Sequence, residues 1–265
     1  MKVSIIIPCF KRMEYLNYTL WSLSQQKISY DIETLVLNDY LLNGIAKEIC
    51  NKYKSKLNIR YIFTGQRNTK DKIIKRDQGF VLNIGVKQAK GDIIVLAHNG
   101  LFHLNNTIDL IINPLIENKK ILSIPKSIFF DSSGIAEYLS KNLTIELPKD
   151  LLSIPKSVFW GKKELSPKLP YWMGMYRKEF MDIGGHDEDF IGICGLDDDL
   201  VDRLQLNKLK YYRCNTNLVH LYHSKYLLPS KNRWTIPEWV YNTCLRLGRK
   251  GQIVRNENKE WGAYE

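Results

Sequence analysis

The sequence predicts an α/β fold in which an open, mostly parallel sheet is flanked by helices. Through the first 125 residues, short apolar runs alternate with apolar residues at helical spacing, which is typical of strands and helices that follow one another. The chain has 265 residues, 44% of them hydrophobic and 25% charged, so its length suits one large globular domain or two small ones. Disorder is therefore not expected.

Five strands and four helices are expected in this first half. The run Val3–Ile7, ended by Pro8, has the pattern of a strand buried on both faces. Further β-like runs predict the other four strands, at Ile32–Leu37, Ile59–Phe63, Ile93–Leu96 and Ile121–Ile124. Helical spacing predicts helices at 16–23, at 45–49, at 81–89 with a stop at Gly91, and at 108–115 with Thr107 as the cap.

Polar loops follow three of the predicted strands. Ligands of open α/β sheets bind beyond the carboxyl ends of the strands. Residues 8–12, 38–39 and 97–100 all lie at such ends, so we expect them to line one cleft.

The second half divides by composition. Residues 126–170 are rich in Lys, Ser and Pro and are read as an insertion. The near-repeat LSIPKSIFF (122–130) and LSIPKSVFW (152–160) predicts two similar strands, or a hairpin, beside that insertion. Residues 171–225 are again compact, and residues 226–265 form a basic, aromatic tail.

Net charge and cysteine content indicate the class of partner and the cellular location of the protein. The chain has 39 Lys and Arg against 28 Asp and Glu, a net charge of +11, which favours a nucleic acid, an anionic membrane or a phosphorylated small molecule as partner. The N-terminal apolar stretch is too short for a secretion signal, and no apolar run is long enough to span a membrane. Five scattered cysteines indicate reduced thiols, so a cytoplasmic location is expected.

Two groups of motifs resemble family 2 glycosyltransferases with the GT-A fold. VSIIIPCFKR, ETLVLND and LNIGVKQAKGDIIVL are similar to their nucleotide-binding half. WMGMYRKEFMDIGGHDEDFIGICGLDDDLVDRL, followed by HLYHS, is similar to the acceptor half of the β-1,4-galactosyltransferase-like and chondroitin-polymerase-like branch. The resemblance covers about residues 2–110 and 170–225. It implies a catalytic domain at 1–225, with its nucleotide-binding half at 1–125.

The resemblance also implies the activity. Such an enzyme moves a sugar from a UDP-sugar to an acceptor hydroxyl with inversion, in glycan or surface-polysaccharide synthesis. The acceptor would be a glycan or a lipid-linked glycan.

Nucleotide-binding residues are implied position by position. Asp39 matches the carboxylate that accepts a hydrogen bond from uracil N3–H, although it also suits the end of a strand. Helix packing explains Gly85, in the Asn-x-Gly motif, as well as ligand contact does. The remaining residues implied near the nucleotide are Pro8, Phe10, Arg12, Arg76, Asn83, His98 and Asn99.

Asp197, in GLDDDL, matches the general base of inverting members. A carboxylate at a helix N-terminus can take the acceptor proton while remaining ionised. Three consecutive aspartates also suit a helix start, which explains Asp198 and Asp199 fully. Leu196 replaces the family's usual Glu, which changes the expected acceptor site. The residues implied on the acceptor side are Trp172, Gly195 and Asp198, with core packing as the alternative for Trp172.

The family's metal-binding Asp-x-Asp is replaced by His98-Asn99-Gly100. Three explanations remain open. His98 could join His223 and His220 in an imidazole-rich site that favours Zn, Co, Ni or Mn over Mg. The enzyme could instead be metal-independent and use basic groups such as Arg76, Lys231 or Arg233 at the diphosphate. Alternatively, the protein binds a nucleotide sugar or glycan without catalysis.

The tail leaves further alternatives open. Its basic and aromatic residues suit a peripheral contact with an anionic membrane, a nucleic-acid surface, or a helix packed on the domain. Glycosylation of modified DNA bases is the second enzymatic hypothesis, motivated by the positive charge.

Overall fold

The fold is known from a computed structural model of the chain. It describes residues 1–10, 12–42, 44–65, 78–131, 159–164, 172–192, 195–221 and 237–263. Within residues 130–131 and 159–164 it describes the backbone alone.

Strands and helices alternate along the described chain. The strands are β1 (Lys2–Cys9), β2 (Asp31–Asn38), β3 (Ile59–Phe63), β4 (Ile93–Ala97), β5 (Leu101–His103), β6 (Ile121–Pro125), β7 (Ser127–Asp131), β8 (Phe159–Glu164), β9 (Trp172–Tyr176), β10 (Lys210–Cys214) and β11 (Leu218–His220). The helices are α1 (Met13–Ser24), α2 (Ile45–Tyr53), α3 (Gln78–Gln88), α4 (Thr107–Glu117), α5 (Arg177–Asp182), α6 (Leu196–Leu206) and α7 (Pro237–Gly248). All five predicted strands and all four predicted helices of the first half are present. Thr107 is the first residue of α4 and Asn106 is its cap.

Seven of the described strands form the main sheet, in the order β10-β6-β9-β4-β1-β2-β3. β1 pairs in parallel with β2 and β4, β2 with β3, and β10 with β6. β9 runs antiparallel to both β4 and β6. The sheet is therefore mostly parallel, as predicted. β9, which belongs to the second half of the chain, lies between β6 and β4.

Helices cover both faces of this sheet, which buries β1, β2, β4, β6 and β9 on both sides, whereas the edge strands β3 and β10 are partly exposed. α1, α2 and α4 pack against one face, and α3, α5 and α6 against the other. α3 lies very close to the sheet at Gly85, where an added Cβ would be 2.5 Å from Ile6 Cγ2 and 2.6 Å from Leu37 Cδ1. Helix packing alone thus requires a glycine there.

A second sheet has the order β5-β11-β7-β8. β7 and β8 pair antiparallel, from Ser127 opposite Glu164 to Asp131 opposite Phe159. This pair flanks residues 132–158, as the hairpin reading of the near-repeat predicts, although residues 152–158 of the second copy lie outside the described residues.

Two further predictions concern membranes and thiols. In the part of the chain that the structure describes, no helix combines the length and apolarity that crossing a bilayer requires. Of the described cysteines, Cys9, Cys50 and Cys214 are buried and Cys244 is exposed, and these four form no disulfide.

Candidate functional site

The loops after β1, β2 and β4 begin at one edge of the main sheet. Cys9, the last residue of β1, is level with Asn38, the last residue of β2. Ile6 is level with Leu96, one residue before β4 ends. The polar residues that follow these strands therefore share the carboxyl edge, where ligands of such sheets bind.

Asp39 is fixed at this edge by hydrogen bonds. Its side chain is buried, with 3% of the residue exposed. The Asp39 amide donates to the Cys9 carbonyl at 2.9 Å, and the Thr64 hydroxyl donates to Asp39 Oδ1 at 2.6 Å. Thr64 follows β3, so three strands orient one carboxylate. A carboxylate held this way can select a ligand that carries an N–H donor.

An aromatic pair lies beside Asp39. Phe10 is 46% exposed, and its ring meets Tyr40 edge-on with centroids 5.3 Å apart. Such exposed rings offer a stacking surface for a planar base. Arg12 caps α1 in the left-handed conformation, with φ 51°.

Pro8 lies within strand β1, whereas its implied role places it in the loop after that strand. β1 continues through Cys9, and Pro8 is a buried residue of the strand, opposite Leu37. The loop that can reach a nucleoside therefore starts after Cys9, and Pro8 is a strand residue.

Asn99 ties the loop after β4 to the loop after β1. Its Nδ2 donates to the Arg12 carbonyl at 3.4 Å and contacts Cys9 Sγ at 3.3 Å. Its Oδ1 is buried without a hydrogen-bond partner. Gly100 follows with φ 103°, a conformation that L side chains rarely adopt, so a carboxylate in this place would strain the turn.

His98 and His220 are brought together as the metal hypothesis requires. β11 lies antiparallel to β5, and the Leu221 amide donates to the Gly100 carbonyl at 2.9 Å. The rings of His98 and His220 have centroids 5.4 Å apart. His223 lies outside the described residues, and the described ones contain no group of three or more metal-binding side chains.

Asn83 is occupied by contacts within the protein. Its Nδ2 donates to the His186 carbonyl and to Glu188 Oε1, both at 2.9 Å. Its Oδ1 accepts from the His186 amide at 2.8 Å. Asn83 is fully buried, so it joins α3 to the 186–188 loop and has no amide hydrogen left for a nucleotide. Arg76 lies outside the described residues.

Asp197 is the second residue of α6, which begins after Gly195 with φ 85°. The start of α6 packs on the first turn of α3, where a Cβ on Gly79 would be 2.3 Å from Leu196 Cδ2. Because α3 leads back to the amino end of β4, its first turn lies toward the carboxyl edge. This packing brings Asp197 to the same side of the sheet as Asp39.

Burial, and to a smaller extent the adjacent Asp198 carboxylate, raise the pKa of Asp197 to about 7. These two effects outweigh the stabilisation of a carboxylate at a helix N-terminus. A carboxyl group that titrates near neutral pH is suited to proton transfer.

Asp198 and Asp199 have different surroundings. Asp198 is partly exposed and lies 3.6 Å from Arg246 Nη1. Asp199 is buried between two guanidinium groups, with Arg203 Nε at 2.7 Å and Arg255 Nη2 at 3.0 Å. Of the two, Asp198 alone is available to an acceptor.

Trp172 is a core residue. It is 0% exposed, its Nε1 donates to the Thr107 carbonyl at 3.3 Å, and its ring meets His103 edge-on at 4.6 Å. A buried ring cannot stack on a sugar, so the core-packing alternative describes it. Gly195 lies at the start of α6 beside Asn242, whose Cβ would be 3.8 Å from an added Cβ.

Sequence reasoning missed the residues that support the site. Thr64 has no motif of its own, and only the register of β3 beside β2 places it at Asp39. Arg255 joins Asp199 to Asp187 Oδ2, 3.0 Å from its Nε. Arg249 binds Asp187 and Asp189. The clustered acids at 187–199 and bases at 246–259 were the signal for this network.

Comparison with known proteins agrees with the two groups of motifs. Residues 4–163 match the family model described as Glycosyl transferase family 2, and residues 165–225 match the one described as N-terminal domain of galactosyltransferase. The two matches follow one another along the chain in the order of its two halves.

Individual relatives are distant and much longer. The chain is 27% identical over 150 residues to chondroitin synthase of Pasteurella multocida (strain Pm70), covering 54% of this chain and 14% of that protein. It is 32% identical over 98 residues to chondroitin synthase of Escherichia coli, covering 36% of this chain and 12% of that protein.

A solved structure shares the fold. The crystal structure of GalNAc-T7 with UDP, GalNAc and Mn2+ superposes with a TM-score of 0.64 at 13% identity, covering 93% of this chain and 48% of that one. This likeness supports the expected GT-A fold.

Proposed function

Because the chain belongs to glycosyl transferase family 2, we propose that it transfers a sugar from a UDP-sugar to an acceptor hydroxyl, with inversion, in glycan synthesis. One observation carries the proposal. Asp39 is buried and hydrogen-bonded, burial raises the pKa of Asp197 to about 7, and both residues lie toward the same edge of the sheet. The first suits base recognition and the second suits proton transfer.

Asp39 binds the nucleotide base of the UDP-sugar. Its carboxylate accepts the uracil N3–H, while Thr64 holds Oδ1 in place. Phe10 and Tyr40 flank the base, and Arg12 lies on the loop that follows β1. A cytosine base has no N3–H, so the same carboxylate discriminates against CDP.

Asp197 acts as general base. Its ionised carboxylate takes the proton of the acceptor hydroxyl while that oxygen bonds to the anomeric carbon. The bond from this carbon to the diphosphate breaks in the same step, and UDP leaves with the electron pair. Attack from the face opposite the leaving group inverts the anomeric configuration. Gly195 and Asp198, at the start of α6, lie where the acceptor enters.

If a divalent metal is used, His98 and His220, whose ring centroids are 5.4 Å apart, would hold it, together with His223. Two imidazoles favour Mn, Co, Ni or Zn over Mg. When bound, such a metal neutralises charge on the leaving diphosphate. In the metal-independent alternative, Arg76 takes that role. Replacing His98 and His220 by Ala, separately and together, tests the pair through Mn-dependent UDP binding.

Two alternatives remain with different predictions. The hypothesis that the protein glycosylates DNA bases rests on the positive net charge. This hypothesis is weakened because four basic residues of the tail are paired with carboxylates of the domain: Arg246, Arg249, Arg255 and Lys259. A nucleotide-sugar or glycan-binding protein without catalysis rests on the missing Asp-x-Asp.

Titrations of UDP, GDP and CDP, each with Mn, Mg or EDTA, test the donor half of the proposal. Thermal shift and calorimetry should show tighter binding of UDP than of GDP or CDP, and Asp39→Asn should remove this preference. Equal binding of the three nucleotides would remove Asp39 from base recognition. Incubation with a panel of UDP-sugars then separates transfer or hydrolysis from binding alone.

The acceptor is proposed from family membership and from the start of α6. Family membership favours a glycan or lipid-linked glycan of surface-polysaccharide synthesis as the acceptor. At the start of α6, Leu196 stands in the place of the family's usual Glu, so Asp198 is the carboxylate available to bind an acceptor hydroxyl. Product analysis with oligosaccharide and lipid-linked acceptors tests this part independently of the donor.

A further inference from the structure

α7 turns its polar side toward the domain. Asn242 is 1% exposed and makes two hydrogen bonds with the backbone of Ile191, at 2.7 and 3.0 Å. Arg246 binds Asp202 at 2.6 Å, and Arg249, just past the helix, binds Asp187 and Asp189. The polar and charged groups that usually face solvent on a surface helix are here used internally.

The outward side of α7 is apolar. Val240 is 46% exposed, Tyr241 47% and Leu247 67%, and Cys244 is exposed as well. Val240, Cys244 and Leu247 have the spacing that places them on one helix face. We call Val240, Tyr241, Cys244 and Leu247 the outer face of α7. It carries no charged side chain.

The sequence that leads to this helix is strongly basic. Residues 203–237 contain seven Lys or Arg and no Asp or Glu. These seven are Arg203, Lys208, Lys210, Arg213, Lys225, Lys231 and Arg233. Lys208, Lys210 and Arg213 are exposed, and so is Lys250 just after α7.

Among the described cations, the exposed Lys208 and Lys250 lie just past the ends of α6 and α7. α7 runs alongside α6 in the same direction, since Asn242 lies near Gly195 and Arg246 reaches Asp198 and Asp202. α6 therefore ends beside the end of α7, with its exposed Leu206 and then Lys208.

We propose that the outer face of α7 docks on the surface of an anionic lipid bilayer. Apolar side chains enter the boundary between headgroups and acyl chains, while the nearby Lys208 and Lys250 attract the anionic headgroups. A second copy of the chain fits less well. Four side chains of one helix offer far less than the ~800 Å² per partner of a stable dimer.

This docking needs neither donor nor acceptor. It therefore stands or falls separately from the proposed transferase activity, and it would bring a lipid-linked acceptor to the same surface.

Co-sedimentation with vesicles tests the proposal, using the full chain. Vesicles of phosphatidylcholine alone are compared with vesicles that also contain phosphatidylglycerol, at low and high salt. The double variant Val240→Ser, Leu247→Ser is compared with Ile116→Ser, which changes a residue 44% exposed on α4. We expect binding to anionic vesicles that salt weakens, that the double variant weakens by about tenfold or more, and that Ile116→Ser leaves unchanged.

Three results would overturn the proposal. The first is no binding of the wild-type chain to anionic vesicles at low salt. The second is equal binding by the double variant, with its folding verified by thermal unfolding; if it unfolds, Leu247→Ser alone is compared. The third is a dimeric mass in light scattering that the double variant abolishes, which would assign the outer face to a second copy.

Discussion

Arg255 Nη2 donates a hydrogen bond to Asp199 Oδ1 across 3.0 Å, which ties the C-terminal segment to α6 two residues beyond Asp197. Both residues are buried, at 5% and 3% exposure. The same guanidinium lies 3.0 Å from Asp187, and Arg203 binds the other oxygen of Asp199 at 2.7 Å. The start of α6 is thus held by residues beyond the predicted domain boundary at 225.

Replacing Arg255 by Met should lower the free energy of unfolding by about 3–5 kcal/mol, because it removes one partner from buried carboxylates. Urea denaturation measures the loss. Arg246→Met is the matched control, since the Arg246 pair with Asp202 is about one-third exposed and should contribute about 0–1 kcal/mol. Similar losses in both variants would mean that the buried network of Arg255 contributes no more to the free energy of unfolding than the partly exposed pair of Arg246.

The pKa of Asp197 sets the expected pH dependence of transfer. A raised pKa of about 7 means that the base form is lost as pH falls through neutrality, so turnover should rise with pH to a plateau above pH 7. Asp198→Asn removes the neighbouring negative charge and should move the midpoint to lower pH. Turnover measured against pH at saturating donor gives the midpoint. An unshifted midpoint would mean that the charge of Asp198 does not affect the pKa of Asp197.

Asp197→Asn tests the role of this residue directly. The variant should bind UDP as the wild type does and lose transfer by about 10²-fold or more, because the acceptor proton then has no base. Calorimetry and product formation measure the two properties separately. Turnover near that of the wild type would take Asp197 out of the mechanism.

The fold followed from the sequence because the central strands are buried on both faces. Continuous apolar runs such as Ile93–Leu96 indicated these strands, and the loops at their ends indicated the cleft. Pro8 was misplaced because a proline is compatible with the last residues of a strand whose pairing with β4 ends at Ile6.

Side-chain partners were less predictable than positions. Asn83 and Trp172 fit family motifs, yet both are buried with their polar groups bonded inside the protein. Motif spacing fixes where a residue lies along a helix or strand. Its hydrogen-bond partners depend on segments about 65 to 105 positions away along the chain, such as Thr107 for Trp172 and Glu188 for Asn83.

Glu33 should make stability depend on pH. Burial raises the pKa of this carboxyl, but hydrogen bonds from Ser4, the Lys90 amide and Arg60 outweigh it, so the net pKa is lowered. The stabilisation is then present above the pKa of the unfolded chain and is lost as pH falls toward the lower folded value. Glu33→Gln should cost about 1–3 kcal/mol at neutral pH and less in acid. Urea denaturation at several pH values measures this, with exposed Glu48→Gln as control. A cost that does not change with pH would contradict the ionised network.

Gly85→Ala should be destabilising through packing alone. The added methyl would be 2.5 Å from Ile6 Cγ2 and 2.6 Å from Leu37 Cδ1, so α3 must move away from the sheet, at a cost of about 1–3 kcal/mol. Gly248→Ala is the matched control, since no atom lies within 4 Å of its added methyl and alanine favours a helix. Thermal unfolding gives the stability change, and calorimetry gives UDP affinity below the transition. Unchanged UDP affinity with lowered stability would assign Gly85 to packing. A loss of affinity at full stability would instead assign it to the ligand.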